Sequence, residues 1–365
     1  LQAGDRLMVR IEKPSLISRD APLSGRSDAT VALPVRVRCV VSDRAFGRFS
    51  LRANQVTPAT VFLPLAALQA HTEQPDRANV LLVASGAPAG LTLSTAWTLD
   101  DAGLELRTLS DGQTAELRSG RVFLPPAAAS AALALRTNAA GALTYFVNEL
   151  RLGARATPYS FVTGTGAALR DGEVIINQWL ADDLHARPGS ELALRYFAMG
   201  ERRTLSETST LLRVQAVIPT AADASWMPAF PGLADAENCG DWEPGLPIDL
   251  QRIRPMDEQY WDTYRGTPKA FVSLAMAQRL WTNRFGALTA IRFPGAGGDL
   301  VGLERALLER MDPAALGLAF TPVRALALRA GGQAMDFGGL FIGFSFFLIA
   351  AALLLTALLF AFLLE

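Results

Sequence analysis

Acidic side chains that could do chemistry cluster in a long Trp- and Pro-rich segment, residues 219–264. Carboxylates bind calcium through their oxygens, and two of them can act together as general acid and base. The carboxylates are Asp235, Glu237, Asp241, Glu243, Asp249, Asp257, Glu258 and Asp262. Their spacing fits no EF-hand loop, and Arg252, Arg254 and Arg265 lie among them. We predict a solvated loop with internal ion pairs; a membrane-tethered hydrolase using carboxylates of residues 235–262 is the alternative.

Other catalytic patterns are missing from the sequence. The two histidines, His71 and His185, are predicted at helix C-termini, where an imidazole ring suits the helix dipole. No zinc-ligand spacing, G-x-S-x-G elbow or phosphate-binding loop occurs. Gly164-Thr165-Gly166 is a lone glycine pair, which is more typical of a turn than of a nucleotide site. The sequence therefore predicts a chain that is not an enzyme and holds no cofactor of its own.

Aromatic side chains are concentrated in the same segment. Exposed clusters of this kind often mark surfaces that bind a protein partner. The candidates for such a surface are Trp226, Trp242, Tyr260, Trp261 and Tyr264, with Phe230 nearby. The same residues could instead fill an interface between two lobes of the fold, and both interpretations stay open.

Length, charge and cysteines limit the class of protein. The 365 residues suffice for two or three domains, and the net charge of −1 gives no case for nucleic-acid binding. Cys39 lies in an alternating run at residues 35–41, which predicts a small buried side chain. Cys239 lies in a loop-like stretch, and a disulfide between the two in an oxidising compartment is an open alternative.

The elements that would position these residues fall into lobes. Residues 1–90 are predicted to form a first α+β lobe, with strands at 6–11 and 31–41 and a helix at 65–71. Residues 91–156 contain short apolar runs separated by Asp-Gly and other Gly-containing turns. Such turns are strong hairpin signals, so we predict a small β-rich insertion here.

Residues 157–330 are predicted to form a second α+β lobe. Asn177 is a suitable N-cap for a helix after a strand at 173–176, and residues 300–311 are amphipathic at helical spacing. Three short segments of this lobe resemble segments of the first lobe in the same order. The fold class is therefore predicted as α+β, with two related α+β lobes, an inserted small β-rich subdomain and a final transmembrane helix.

The apolar run at residues 337–364 gives the strongest signal in the chain. It contains no Asp, Glu, Lys, Arg or His, and about 20 apolar residues suffice to cross the hydrocarbon core as a helix. Ser345 and Thr356 are tolerated because their hydroxyls can bond back to helix carbonyls. Residues 331–365 are therefore predicted as a connector and a transmembrane helix, in a chain that is a piece of a longer protein.

Two stretches resemble MacB/FtsX-type ABC transporter permeases. Residues 336–349, DFGGLFIGFSFFLI, resemble the start of the second transmembrane helix of that family. Residues 171–192 resemble its extracytoplasmic core, in which a strand, a helix and a Gly-containing turn precede the next strand. The segment at residues 4–13 is similar to the strand that follows the first transmembrane helix.

The resemblance implies a permease subunit with its large domain outside the cytoplasm, anchored in a bacterial plasma (inner) membrane. A partner ABC ATPase would bind ATP and Mg²⁺, a second permease subunit would complete a homo- or heterodimer, and membrane lipid would surround the spans. The substrate would be a lipoprotein, lipid, peptide or drug. The implied work is export, extraction or mechanotransmission. Besides the permease subunit and the membrane-tethered hydrolase, a third interpretation is a single-span adhesion or scaffold protein.

The predicted connector, residues 325–336, is short. Gly331 and Gly332 are candidate hinge residues in it, because glycine permits many backbone conformations. We expect movement of the apolar helix to reach the globular part with little slack.

Overall fold

The computed structural model describes residues 1–14, 30–45, 47–52, 56, 58–83, 93, 96–200, 204–334 and 337–364. The chain divides into two compact units. Among the described residues, the first unit is drawn from 1–13, 30–80 and 320–364, and the second is drawn chiefly from 81–319. Nearly all of the predicted candidate site residues lie in the second unit.

Eleven strands and eight α-helices occur among the described residues. The strands are β1 (Arg6–Glu12), β2 (Thr30–Arg36), β3 (Leu104–Thr108), β4 (Thr114–Ser119), β5 (Ala140–Leu152), β6 (Arg155–Thr165), β7 (Glu173–Asn177), β8 (Glu191–Met199), β9 (Leu205–Ile218), β10 (Ala270–Ser273) and β11 (Ala290–Pro294). The helices are α1 (Leu65–Thr72), α2 (Pro126–Leu133), α3 (Gln178–Leu184), α4 (Pro255–Tyr264), α5 (Leu274–Trp281), α6 (Leu300–Arg310), α7 (Val323–Ala334) and α8 (Phe337–Leu363).

The first unit is built on a two-stranded antiparallel ribbon of β1 and β2. Every residue of β1 pairs with one of β2, and half-buried and exposed positions alternate along β1, as a two-faced strand requires. β2 ends at Arg36, before Cys39, and the Cys39 side chain is exposed. The prediction that Cys39 is buried was therefore wrong, because the alternating pattern continues past the end of the strand.

A closed six-stranded barrel forms the centre of the second unit. Its strand order is β5-β6-β10-β7-β9-β8, and β8 pairs again with β5 to close the ring. β6–β10 and β7–β9 are parallel pairs, and the other four are antiparallel. Closure pairs every barrel strand on both sides over part of its length, whereas the end of β8 and the start of β9 pair only with each other.

The hairpin of β5 and β6 contributes two of the three longest strands of the barrel. Gly153 occupies the first position of its two-residue turn with φ +57°, a region that glycine enters without strain. Both strands are buried on both faces over most of their length, so hydrophobic and polar residues do not alternate. Periodicity therefore gave no prediction for either strand.

A three-stranded extension continues the sheet from β5 in the order β3-β4-β11-β5. The first residues of β5 pair with β11, whereas its last residues pair with β8 and close the barrel. Helices α2 and α6 pack against the extension over a second apolar core that contains Leu117, Ile291, Phe293 and Leu307. The length of β5 thus lets one strand serve both parts of the sheet.

The mixed helix-and-strand class and the final apolar helix are confirmed, but the two-lobe description needs correction. β5 comes from the predicted insertion and β6 from the predicted second lobe, yet they pair as neighbours in one closed barrel. Gly164 is also not in a turn: it lies in β6, and a Cβ there would lie 2.2 Å from the Cβ of Ala277. Its lack of a side chain lets α5 pack closely on the barrel.

Candidate functional site

The surface of the C-terminal helix α8 differs most from the surface of an ordinary globular protein. It runs over Phe337–Leu363 without a charged residue, and no part of its most apolar window is buried in the described structure. Twenty-seven residues of helix span roughly 40 Å at about 1.5 Å per residue, more than the roughly 30 Å hydrocarbon core. Among the described residues it is the one helix long and apolar enough to cross a membrane.

The predicted hinge glycines lie in the helix before it. Gly331 and Gly332 fall within α7, so their backbone is helical, and Asp336 of the predicted connector lies outside the described residues. Their role as hinges stays a prediction.

The aromatic candidates lie mainly in the interior of the barrel unit. Trp242, Tyr260 and Trp261 are each at least 94% buried, and Trp226 and Tyr264 are half-buried. Trp242 packs edge-on against Trp261, with ring centroids 4.9 Å apart. The three buried rings therefore fill an interior, as the second interpretation expected. That interior is the core of a single barrel unit and not an interface between two lobes.

The arginines of the acidic segment form ion pairs, as predicted, but some of these pairs are with residues outside the segment. Arg252 binds Glu149 of β5, and Arg254 binds Asp183 of α3 at 2.6 Å. Helix α4 ends this segment and was missed, because the turn signals before Pro255 led to an interpretation of the whole segment as one loop. Asp241 and Glu243 are exposed.

A buried charge cluster is formed where α3, α4 and the start of β10 meet. Arg254 bridges the carboxylates of Asp183 and Asp257, at 2.6 and 2.7 Å, and Thr157 donates a hydrogen bond to Asp183. Lys269 lies on the far side of Asp257, with 3.8 Å between its Nζ and a carboxylate oxygen. Two carboxylates thus face two cations, which balances the formal charge inside the fold.

The Lys269 ammonium lies between two aromatic rings. Its Nζ is 4.1 Å from the ring centroid of Trp179 and 4.5 Å from that of Tyr260, close enough for cation–π attraction. The Tyr260 hydroxyl accepts a hydrogen bond from Asn177 and donates one to the Thr267 carbonyl. Asn177 also caps α3 by accepting from the Leu180 amide, as the sequence predicted.

Burial and pairing move the pKa values in this cluster in different directions. Burial lowers the pKa of Lys269 to about 8, against the opposing attraction of Asp257. Burial also acts to raise the pKa of Asp183, but hydrogen bonds from Arg254 and Thr157 hold that pKa below its ordinary value. The lysine is therefore the group of the cluster whose charge changes most easily near neutral pH.

Lys269 was not singled out from the sequence, although a signal exists. The chain has 34 Lys and Arg residues, and only Lys13 and Lys269 are lysines. Arginine keeps its proton under all physiological conditions, whereas a buried lysine shifts its pKa readily. A lysine at a core position of an arginine-rich chain is therefore chemically distinct, although no sequence motif marks it.

Two further buried carboxylates are paired with arginines in the same unit. Glu116 binds Arg107 and Arg292 in the extension, at 2.7 and 2.8 Å. Glu149 lies among Arg151, Arg195 and Arg252 on the barrel; burial acts to raise its pKa, but these arginines hold that pKa below its ordinary value. These contacts join strands and segments far apart in sequence, so we interpret them as structural ties.

The histidines and cysteines hold simple local positions. His71 lies in the last turn of α1 and His185 caps the end of α3, which confirms both predicted helix ends. Cys39 and Cys239 are free thiols, and burial raises the pKa of the Cys239 thiol. Among the described residues, no group of three or more His, Cys, Asp or Glu side chains could hold a metal ion.

Comparisons with known proteins do not identify a family. No protein-family model matches the chain, and no curated protein matches it.

Proposed function

We propose that this chain is the extracytoplasmic domain and one membrane span of an ABC transporter permease subunit in a bacterial plasma (inner) membrane. The observation that carries the proposal is α8, a 27-residue helix with no charge and no burial against the described chain. Because water disfavours a surface of this size, lipid or other membrane helices are its expected surroundings. The resemblance of residues 336–349 to the second span of MacB/FtsX-type permeases extends this to a transporter.

The barrel unit supports a mechanical role in the proposal. Its strands close on one another, and three buried carboxylate clusters tie distant segments together. A unit built in this way resists internal deformation and can pass on a movement as a body. In the proposal a separate ATPase subunit binds ATP and Mg²⁺ and drives that movement, and two permease subunits act on a lipoprotein, lipid, peptide or drug outside the cytoplasm.

The first test is isolation of the full chain from its native membrane with its bound partners. Mass spectrometry of the purified complex is expected to find an ATPase subunit with a phosphate-binding loop in a fixed ratio to the chain. A chain that purifies from the membrane without any ATPase would contradict the transporter proposal, while leaving membrane anchoring intact.

The second test measures movement in that complex. A spin label at exposed Glu191 in each permease copy reports the distance between the copies, which we expect to change by several ångströms between nucleotide-free and ATP-trapped states. A pair at Asp182 and Leu211, both exposed on the same barrel unit, is the control; in complexes that contain one labelled copy it should give one unchanged distance. Equal distances between the copies in both states would count against mechanical coupling.

A further inference from the structure

The charges of the chain are divided unevenly between its two units. The described residues of the first unit include eleven Lys and Arg and five Asp and Glu, which gives a formal charge of +6. Those within 81–319 include nineteen Lys and Arg and twenty-five Asp and Glu, which gives −6. The near-neutral total therefore hides a basic unit and an acidic unit, and α8 belongs to the basic one.

Three arginines of the first unit share one exposed face of the β1–β2 ribbon. The exposed positions of β1 are alternate residues, which lie on one face of a strand: Arg6, Met8, Arg10 and Glu12. Arg36 of β2 is also exposed and pairs directly with Arg6. The acidic residue of this face, Glu12, lies at the far end of β1 from that pair. One end of the face is therefore basic, with Met8 as an exposed apolar group beside it.

The arginines of this face have no partner for their charge within the described part of the chain. The side chains of Arg6, Arg10 and Arg36 form no hydrogen bond or ion pair with a described residue. Asp5, the carboxylate nearest to Arg6 in sequence, accepts a hydrogen bond from the Gln2 amide. Like charges directly opposite each other on two strands are destabilising, so the Arg6–Arg36 pair favours a bound anion. Phosphate suits it, because a guanidinium group can donate two parallel hydrogen bonds to phosphate oxygens.

Helix α7, which precedes the apolar helix, has the same combination of charge and apolar surface. It contains Arg324 and Arg329 and no acidic residue, and both arginines are exposed. Leu326 and Leu328 of the same helix are also exposed. Basic residues close to a membrane span are attracted to anionic lipid headgroups. The basic and apolar groups of the first unit are thus present on the ribbon and also next to the membrane helix.

We propose that the Arg6–Arg36 face of the ribbon binds the phosphate groups of anionic phospholipids, at the surface of the membrane that α8 enters. The two guanidinium groups donate hydrogen bonds to a lipid phosphate, Arg10 attracts a neighbouring headgroup, and the exposed Met8 side chain lies against the lipid. A lipid surface is the occupant because α8 belongs to the same unit, so the headgroups are present at a high effective concentration. The inference rests on the membrane anchoring in the proposed function and not on transport.

The test follows docking of the ribbon in the full chain reconstituted into lipid nanodiscs. A donor dye is attached to Cys39, which is exposed and lies just beyond Arg36, whereas Cys239 is buried. An acceptor dye on a small share of the lipid headgroups then reports how close Cys39 lies to the membrane surface. We expect higher energy transfer in discs of phosphatidylcholine and phosphatidylglycerol, mixed at roughly 2:1, than in discs of phosphatidylcholine alone. Equal transfer in the two kinds of disc would overturn the inference, and a chain that does not stay in the discs would overturn the anchoring as well.

Paired variants locate the contact. Arg6→Gln with Arg36→Gln is expected to lower the ratio of docked to undocked chains about tenfold or more, because each arginine at an anionic surface contributes about fivefold. Arg187→Gln with Arg305→Gln is the matched control: both arginines are exposed in the second unit, and their side chains have no partner among the described residues. The control changes the net charge equally and should leave the transfer unchanged. An equal loss in both double variants would overturn the assignment to the ribbon.

Two measurements on the wild-type chain keep the test decisive if the ribbon variant does not fold. Raising the salt concentration from about 0.05 to about 0.5 M should remove most of the difference between the two kinds of disc, because salt screens charges at an exposed surface. A difference that persists at high salt would contradict a contact made by arginines and phosphate. Soluble glycerol phosphate at about 10 mM should leave the difference largely in place, because the anchored ribbon faces a high local concentration of lipid phosphate. Loss of the difference would show a site for soluble phosphates and overturn the lipid assignment.

Discussion

The barrel unit and the C-terminal helix differ in where they place side chains that are costly in their surroundings: the first buries charges, and the second exposes apolar groups. The barrel unit buries charged side chains such as Lys269 and Asp257 and surrounds them with opposite charges and hydrogen bonds. Helix α8 carries no charge and leaves large apolar side chains such as Phe346 and Leu353 about two-thirds exposed. The first region satisfies its groups within the chain, whereas the second needs an apolar surrounding from outside it.

The largest expected effect compares the same substitution in the two regions. Phe146→Ala removes a ring that contacts Tyr159, Phe161 and Trp242 in the barrel core. It should lower the free energy of unfolding of the barrel unit by about 3–5 kcal/mol. Urea unfolding of the full chain in micelles, followed by tryptophan fluorescence, measures this change.

The matched control for that prediction is Phe346→Ala in α8. The Phe346 side chain is 68% exposed and its one ring contact is with Phe347, so the unfolding of the barrel unit should change by less than about 0.5 kcal/mol. A loss of several kcal/mol in Phe346→Ala would show that α8 packs against the rest of the chain, so that it would not need an apolar surrounding from outside.

The next effect concerns the apolar helix alone. An arginine near the centre of a transmembrane helix raises the free energy of insertion by about 2.5–3.5 kcal/mol, so Leu353→Arg should lower the fraction of the chain that resists carbonate extraction from the membrane. Leu364→Arg is the control, because a charge at the helix end reaches the water interface at little cost. Equal membrane retention of both variants would count against a spanning helix.

How far the sequence predicts each region follows from how local its signals are. The length and composition of α8 lie in one continuous run, so sequence alone predicted it closely. The N-cap of α3 and the amphipathic face of α6 are likewise local patterns. The β5–β6 hairpin was missed because its buried faces erase the alternation, and barrel closure depends on β8 meeting β5, a pairing that no local pattern encodes.

The charge cluster shows the same limit at the candidate site. Asp183 and Arg254 are 71 residues apart and meet only because β7, α3 and α4 are arranged around the barrel. The sequence predicted ion pairs internal to the acidic segment, and Arg254 with Asp257 is such a pair. The fold adds two pairs that the sequence did not predict, Arg254 with Asp183 and Lys269 with Asp257.

A smaller effect separates buried from exposed ion pairs. Arg254→Met leaves Asp183 with the Thr157 hydroxyl and the weaker attraction of Lys269. It should destabilise the barrel unit by about 2 kcal/mol, less than loss of a fully buried pair would, because the arginine is 34% exposed. Arg279→Met breaks a surface pair with Asp171 and should change stability by less than about 1 kcal/mol. Equal losses in urea unfolding would remove the distinction between the two kinds of pair.

The smallest effect is a dependence on pH that Lys269 imposes. Its pKa is about 8 in the folded chain and about 10.5 when unfolded, so between these values the unfolded chain binds more protons. The free energy of unfolding therefore rises with pH in this window, by about 1–2 kcal/mol up to pH 10. Lys269→Met lacks this rise, and Asp257 keeps Arg254 as its partner in the variant.

The difference between the wild type and Lys269→Met is the decisive measurement, because another group opposes the trend in both proteins. Burial raises the pKa of Cys239, so this thiol stays protonated in the folded chain while it ionises in the unfolded chain, which lowers stability as pH rises. Subtracting the two stability curves removes most of that contribution, because burial, and not the nearby Lys269, is the largest cause of the raised thiol pKa. A difference that stays flat from pH 8 to 10 would mean that Lys269 keeps an ordinary pKa, and that its ammonium is far better solvated than the described barrel unit allows.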